Sequence, residues 1–580
     1  MIKLFKYLRK KDWLYIFISL CFIVCQVWLD LKIPDYMSEI TRLIQTPDSA
    51  LGDVLVVGMK MLGCALLSMA ATFIVGYFVA IVAAGLSRRL REAVYDKVIS
   101  FSMEEMGRFS TASLITRSTN DISQVQMVIA IGLQASVKAP IMAAWAITKI
   151  INKNLAWSAA TGVAVAFLLV LITILFVLVV PGFRKIQSLT DNINRVAREN
   201  LSGVRVVRAY NAEKYQEDKF AKANEELTSV NLFTQKMMAI MMPAMTLISS
   251  GLTLSIYWIG VYLIDKAKLT EKIGLFSDMI VFSSYAMQVI MSFMMLTFTF
   301  IILPRAIVSS KRINEVLETK NRIMDGEGCE NTTETGTVEF RNVSFHYPDA
   351  ADDMISGISF KANKGEMVAF IGATGSGKTT LINLIPRFYD ATGGEVLVDG
   401  VNVKKYKLAE LRKKIGYAPQ KALLFSGTIE SNVSYGADVP DSERLNEALE
   451  ISQAKEFVEK LTDNVKSKIS QGAVNVSGGQ KQRLSIARSL YNKPEILIFD
   501  DSFSALDYRT DKILRKELRE RSKGSTSLIV AQRIGTIMEA DLIIVLEEGQ
   551  IVGQGKHKEL LKSCPIYKEI AMSQLSEEEL

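Results

Sequence analysis

Three short stretches of this chain carry groups that could hold and cleave a polyphosphate. The first, GATGSGKT (Gly372 to Thr379), follows the apolar run MVAFI and precedes TTLINLI, which reads as a helix. The spacing G-x-x-x-x-G-K-[ST] between a strand and a helix is that of a phosphate-cradling loop. Gly372, Gly375 and Gly377 let successive backbone N–H groups converge on phosphate oxygens, and Thr374, Ser376 and Thr380 complete the nucleotide-binding set. Lys378 brings a charge to the β- and γ-phosphates, and the Thr379 hydroxyl can ligand Mg²⁺. The second stretch, ILIFDD (Ile496 to Asp501), is an apolar strand ending in two carboxylates. A buried parallel strand delivers its C-terminal end to the ligand edge of a sheet. Asp500 is thereby placed to hold Mg²⁺ through water, and Asp501 to polarise an attacking water. The third stretch, NVSGGQKQR, lies just upstream. Its Ser477, Gly478 and Gly479 open a helix whose N-terminus can receive an anion. If this loop and the phosphate loop lie on opposite edges, one chain cannot fold both onto one nucleotide, which points to a second copy or a partner.

The elements that must position these residues occupy only the second half of the chain. Strand and helix patterns alternate from Val338 to about residue 570, the signature of an α/β domain. A polar, Gly/Asn/Thr-rich segment, residues 319–336, reads as a linker, and the acidic end SEEEL as frayed. The first half differs. All five Trp and 19 of the 24 Met precede residue 300, and the mean hydropathy of +0.21 averages two unlike parts. Apolar runs from about Trp13–Ile33, Val54–Leu86, Val125–Ile151, Trp157–Val180, Met237–Ile264 and Phe276–Leu303 make six membrane spans. An even number puts both termini on one side. Basic residues after spans 2, 4 and 6, such as Arg88, Arg89, Lys185, Lys311 and Arg312, mark that side as cytoplasmic. The other side holds a loop from Lys32 to Asp53. The connections after spans 2 and 4 keep charged helical periodicity, so the membrane helices should run on into the cytoplasm by about 30 Å per 20 residues. The net charge of +7 is a mild excess that basic loops explain, and no nucleic-acid partner is expected. No CxxC spacing and only two His leave little for a zinc site.

With these motifs in order, the sequence resembles an ATP-binding cassette exporter half-transporter: an α-helical six-span domain (1–318), a linker, and an α/β P-loop nucleotide-binding domain (337–580). The resemblance implies ATP and Mg²⁺ as cofactors. It makes Tyr347 the aromatic that stacks on adenine, Gly372–Thr379 the Walker A loop, and Gln420 in YAPQ the Q-loop that senses Mg²⁺ and contacts the membrane domain. Ser477, Gly478, Gly479 and Gln480 match the signature motif, Asp500 ends Walker B, and Ser504–Asp507 match the D-loop. In this family two domains sandwich two ATP molecules, each between one domain's Walker motifs and the other's signature. Coupling helices are implied near Met106–Leu114 and Asn211–Glu217. A bacterial cytoplasmic membrane is the implied location.

Two positions depart from the family pattern. Asp501 stands where the family has Glu; its carboxylate is withdrawn by roughly 1 Å, which can cost on the order of 10²-fold in rate. Gln532, in IVAQRIGTI, stands at the switch His. Gln can hydrogen-bond a γ-phosphate but cannot become cationic. Together the two changes predict a site that binds ATP and hydrolyses it slowly, while a signature intact apart from Val476 at its leading apolar position serves a second homologous half-transporter in a heterodimer. A homodimeric exporter of lipid, peptide or drug and an ATP-gated sensor subunit are the alternatives. Spans 5 and 6 are rich in Met, from Met237 to Met245 and from Met279 to Met295, with Phe282, Tyr285, Phe293, Phe298 and Phe300 nearby. Unbranched Met can repack around varied apolar or amphipathic small molecules, or simply pack in a core. Lys60, Lys138, Asp278 and Gln288 read equally as pathway residues or as helix–helix and snorkelling contacts.

Overall fold

A computed structural model describes residues 1–46, 50–151, 154–329, 334–348, 350–521 and 523–575, with the side chains of Arg184, Leu269, Thr270, Phe298, Phe300 and Ile301 outside that description. Part of the linker, the acidic C-terminal end and the side chains of Phe298 and Phe300 therefore lie outside the described residues. The chain divides into two compact units, Met1–Ile99 with Thr111–Glu318, and Ser100–Ser110 with Thr319–Leu580.

Long helices build the first unit: α1 Lys10–Gln45 and α2 Leu51–Ile99, then, after α3 Met103–Arg108 of the second unit, α4 Thr111–Ser118, α5 Asn120–Met127, α6 Leu133–Ile151, α7 Leu155–Ser202, α8 Val204–Ala209, α9 Glu213–Lys266 and α10 Leu269–Glu318. A π-helical turn, Val128–Gly132, joins α5 to α6. Six stretches are long and apolar enough to cross a membrane. Their outward faces carry large apolar side chains such as Leu67, Phe73, Phe167 and Trp258, as a lipid solvent requires. Inward, Trp157, Phe282 and Tyr285 are fully buried, and the Trp157 indole donates to the Ile256 carbonyl at 3.1 Å.

One expectation is corrected here. The segment from Lys32 onward is not loop; α1 continues through Pro34 to Gln45. Tertiary pairing holds the extra turns. Tyr285 donates to Asp35 Oδ1 at 2.5 Å, Lys149 reaches Asp35 Oδ2 at 2.9 Å, and Ser38 and Ser277 share a hydrogen bond of 2.8 Å. The segment Met106–Leu114 spans the end of α3, which is capped by Ser102 and Glu105, and the start of α4; the segment Asn211–Glu217 follows α8, with a turn at Asn211 of φ +50° before α9 begins at Glu213.

The second unit has strands β1 Val338–Phe345, β2 Ile355–Ala362, β3 Met367–Gly372, β4 Gly393–Val398, β5 Val401–Asn402, β6 Ile415–Ala418, β7 Gly427–Thr428, β8 Lys468–Ile469, β9 Ile496–Asp500, β10 Thr526–Val530, β11 Leu542–Glu547 and β12 Gln550–Gly555. An antiparallel sheet runs β2-β1-β4-β5, and a six-stranded sheet runs β12-β11-β3-β10-β9-β6. Strands β11, β3, β10, β9 and β6 are mutually parallel, and β12 closes the edge antiparallel. The continuous runs VAFI, ILIF and SLIV suit strands covered on both faces, and two apolar cores flank this sheet. The described start of the linker is held by hydrogen bonds. Asn321 donates to the Ser100 carbonyl at 2.6 Å, Arg387 to that of Met324 at 2.9 Å, and Asp325 accepts from Leu408 N at 2.8 Å.

Gly416 in β6 lets the helix Gly478–Tyr491 approach the sheet, since a Cβ there would stand 2.2 Å from the Ser489 carbonyl oxygen. Gly416→Ala should cost about 1–3 kcal/mol by overpacking. At about 2–4 °C per kcal/mol for a domain of this size, calorimetry should find the nucleotide-binding unit's melting transition lowered by roughly 3–10 °C.

Candidate functional site

The parallel strands end at one edge, and that edge collects the predicted residues. From β3 the chain enters Gly372–Gly377. A Cβ on Gly372 would lie 2.0 Å from the Leu546 carbonyl oxygen, and one on Gly377, at φ +93°, would lie 2.6 Å from Ile355 Cγ2. Only glycine fits either place. Lys378 is buried under this loop; its Nζ donates to the carbonyls of Gly372 and Ala373 at 2.8 and 2.7 Å and to Ser376 Oγ at 3.2 Å. Burial pulls the Lys378 ammonium below its usual range against the opposing attraction of Asp501 and Asp500. Gly375, at φ +88°, and the exposed Thr374 form the outer turn.

From β9 come the two carboxylates. Asp500 is buried and accepts from Thr379 Oγ1 at 2.8 Å. Burial raises its carboxyl above the ordinary range, with Thr379, Tyr417 and Lys378 acting the other way. Asp501 follows in the left-handed region at φ +46°, its N–H on the Val530 carbonyl at 3.0 Å. Its Oδ2 accepts from both Gln532 Nε2, at 2.8 Å, and Gln420 Nε2, at 3.2 Å. Burial raises this carboxyl as well, opposed by Gln420, Ser504 and Lys378. Three residues distant in sequence thus meet at one oxygen.

The residues also suit Mg²⁺. Among the described residues no cluster of three or more His, Cys, Asp or Glu could hold a metal alone. The Thr379 hydroxyl and Asp500 carboxylate, with Gln420 close by, offer the hard oxygen donors that Mg²⁺ takes alongside substrate phosphates.

Tyr347 lies beside the helix after the phosphate loop, its hydroxyl 3.0 Å from Thr380 Oγ1, and its ring meets Phe345 and Tyr389 edge-on. Ser477, Gly478, Gly479 and Gln480 form a separate group at the N-terminus of Gly478–Tyr491. Ser477 and Gln480 bond reciprocally, with Gln480 Oε1 accepting from Ser477 N at 2.9 Å, and Gly479 faces the Ala505 carbonyl of the D-loop stretch.

Three contributors were missed in the sequence. Tyr417 donates to Asn383 Oδ1 at 3.2 Å and stands 3.5 Å from Asp500; burial pushes its phenol well up. Its signal was the Tyr of YAPQ. Tyr389 backs Tyr347. Gln482, the second Gln of SGGQKQR, is buried and donates to the Pro419 carbonyl at 3.1 Å, fixing the residue before Gln420.

Two family models match the chain: ABC transporter transmembrane region over residues 16–293 and ABC transporter over 355–504. An uncharacterized ABC transporter ATP-binding protein of Mycobacterium bovis is 39% identical over 547 residues, 93% of each chain. The chain belongs to the ABC transporters. An ATP-dependent lipid A-core flippase of Aromatoleum aromaticum is 31% identical, covering 87% of this chain and 82% of its own. A multidrug resistance ABC transporter ATP-binding and permease protein of Lactococcus lactis is 30% identical, covering 90% and 87%. The fold matches the structure of a bacterial Atm1-family ABC exporter with ATP bound, at a TM-score of 0.82 and 23% identity over 96% of this chain and 98% of that one.

The transporter's membrane unit has a groove of about 560 Å³ lined by Met241, Met242, Met291, Met294 and Met295 together with Lys138, Met142 and Gln288. Of the two readings of these residues, Phe282 and Tyr285 take the core one: both are fully buried among the helices, and Met245 and Met279 nearly so. Large flat rings fill the gaps around Trp157, leaving the thioethers to line the open space. Asp278 pairs with Arg42 at 3.8 Å, and Lys60 is exposed.

Lys378→Ala should weaken binding of a fluorescent ATP analogue by about 10- to 100-fold, the worth of charge-assisted hydrogen bonds. Tyr347→Ala should weaken it less, by about 10-fold, and equilibrium titration of the two variants checks both the loss and its order.

Proposed function

We propose that this chain is one half of a heterodimeric, ATP-driven bacterial exporter of apolar or amphipathic small molecules, of multidrug type. Its own Walker site, Gly372–Thr380 with Tyr347, binds ATP, and Thr379, Asp500 and Gln420 hold the Mg²⁺ that screens the γ-phosphate. Hydrolysis there is slow. Ser477–Gln480 complete the competent site of a second, homologous half-transporter, which carries Glu and His at the positions of Asp501 and Gln532. Both termini lie in the cytoplasm, and α3 and α8 with the turn at Asn211 act as the coupling elements.

The observation that carries this reading is the pair of amides on Asp501 Oδ2. A general base must offer an acceptor lone pair to water. Asp501 offers one of its two oxygens to two neutral donors, and neither donor can take up a proton. The reciprocal cap at Ser477 leaves the signature helix N-terminus formed and exposed, ready for an anion from another subunit. The Met-lined groove supports an adaptable apolar substrate. A homodimeric exporter of lipid is the second reading, favoured by the likeness to the lipid A-core flippase.

The test is ATPase activity of the full chain alone and with a co-expressed homologous half-transporter that carries Glu and His at the two matching positions. The chain alone should turn over slowly, and Asp501→Glu with Gln532→His should raise that rate by about 10- to 100-fold. In the two-chain complex, Ser477→Ala should cut turnover far more than Asp501→Asn. Brisk hydrolysis by the isolated chain, abolished by Asp501→Asn, refutes the heterodimer in favour of the homodimer. Tight ATP binding without dye efflux from vesicles holding both chains refutes export in favour of a sensor.

A further inference from the structure

Among the described residues that line the methionine groove one side chain is charged, and that charge sets a sign preference toward a ligand. Lys138, on α6, lines the groove and is about four-fifths buried. Its partner is Asp30 on α1, 3.1 Å from Nζ to Oδ2. Asp30 does not line the groove, and its other oxygen accepts from Ser68 at 2.5 Å. Of this pair Lys138 is the member that lines the groove, while Asp30 has both oxygens engaged, one by the ion pair and one by Ser68. An ammonium has three N–H donors, more than one carboxylate oxygen can engage. The other polar side chains of the wall do not compete for it. Gln288 turns its amide nitrogen to the Asp30 carbonyl at 3.4 Å and buries its oxygen, and Ser292 donates to the Gln288 carbonyl at 2.8 Å.

We propose that the groove binds amphiphiles with a negatively charged head, a carboxylate or a phosphate, seated on Lys138 with the apolar body along Met241, Met242, Met291 and Met295, and that it discriminates against lipophilic cations. This rests on the export reading and narrows its substrate class. The volume of about 560 Å³ lies within the range that encloses a small-molecule ligand. In so apolar a wall a charge–charge contact is weakly screened, so a head group that meets the Lys138 ammonium gains more as an anion than as a cation, with Asp30 behind the wall offsetting part of the difference. The thioethers impose little shape on the tail, which leaves the head group as the main source of selectivity.

The test is binding without ATP, so that it stands apart from hydrolysis. The full chain, assembled with its partner half-transporter in phosphatidylcholine nanodiscs, is titrated with dansyl-aminoundecanoate and with a trimethylammonium probe of the same dansyl group and chain length. The anionic probe should bind roughly 10- to 100-fold tighter. Lys138→Met should abolish that preference, and Lys138→Arg should keep it. The double variant Asp30→Asn with Lys138→Met leaves no unpaired carboxylate, and it should lose the preference equally, which separates lost recognition from a misfolded wall. Displacement by dodecanoate points to a free amphiphile, and displacement by phosphatidylglycerol to a lipid head group. Equal affinities for the two probes, an unchanged preference in Lys138→Met, or displacement by neither competitor overturns the proposal. ATP-driven efflux of a cationic dye with no anion preference overturns this inference and leaves export standing. Anion binding with no ATP-driven transport overturns export and leaves the site.

Discussion

The nucleotide site depends on one pairing: β10 lies between β3 and β9, parallel to both, with Val530 level with Phe370 on one side and with Asp500 on the other. That register brings the phosphate loop, the two carboxylates and the Gln532 segment out of the sheet at one height. A slip of one residue would turn each strand's side chains over and send Asp500 into the opposite core. Both faces of the sheet are apolar and covered, so the cores on either side hold the register. The chemistry at the edge is inherited from the packing beneath it.

What could be read without coordinates follows from the same physics. The phosphate loop was legible because its backbone demands glycine at Gly372 and Gly377, where a side chain would strike Leu546 and Ile355. A constraint that strict leaves a trace in residue type and spacing. The parallel strands were legible because burial on both faces forces unbroken apolar runs. The meeting of Gln420, Asp501 and Gln532 was not, since side-chain convergence from three strands leaves no periodic signal. Tyr389, Tyr417 and Gln482 escaped for the same reason. The extension of α1 past Pro34 escaped because proline is a local stop signal, and here contacts with Tyr285, Lys149 and Ser277 outweigh it.

The membrane unit uses its few charges sparingly. On α1, Asp30 and Asp35 each meet a lysine of α6, Lys138 and Lys149, so two ion pairs tie the same two helices. A lone charge in an apolar bundle is costly, and pairing is the usual remedy. The two pairs differ in surroundings. Asp35 is joined by Tyr285 and Lys32, whereas the Asp30–Lys138 pair has its lysine in the wall of the groove. The first is explained by its contacts within the bundle.

The two departures at the nucleotide edge are best understood as one. A glutamate at position 501 would carry its carboxylate about 1 Å farther, past the point where two amides now converge. A histidine at position 532 would bring a ring that can be charged where the Gln532 amide now donates. Asp501 and Gln532 fit each other: the shorter acid reaches back, the neutral amide reaches forward, and they meet at 2.8 Å with Gln420 completing the contact. Gln532 is itself held, its carbonyl accepting from Gln574 at 2.9 Å while Gln574 also accepts from Ile534 N. The effects of changing residues coupled through one oxygen are not additive. Restoring either one alone would leave the other mismatched. In the proposed cycle a site built this way serves as a clamp, whose use is to keep ATP between two domains while the chemistry proceeds at the other site.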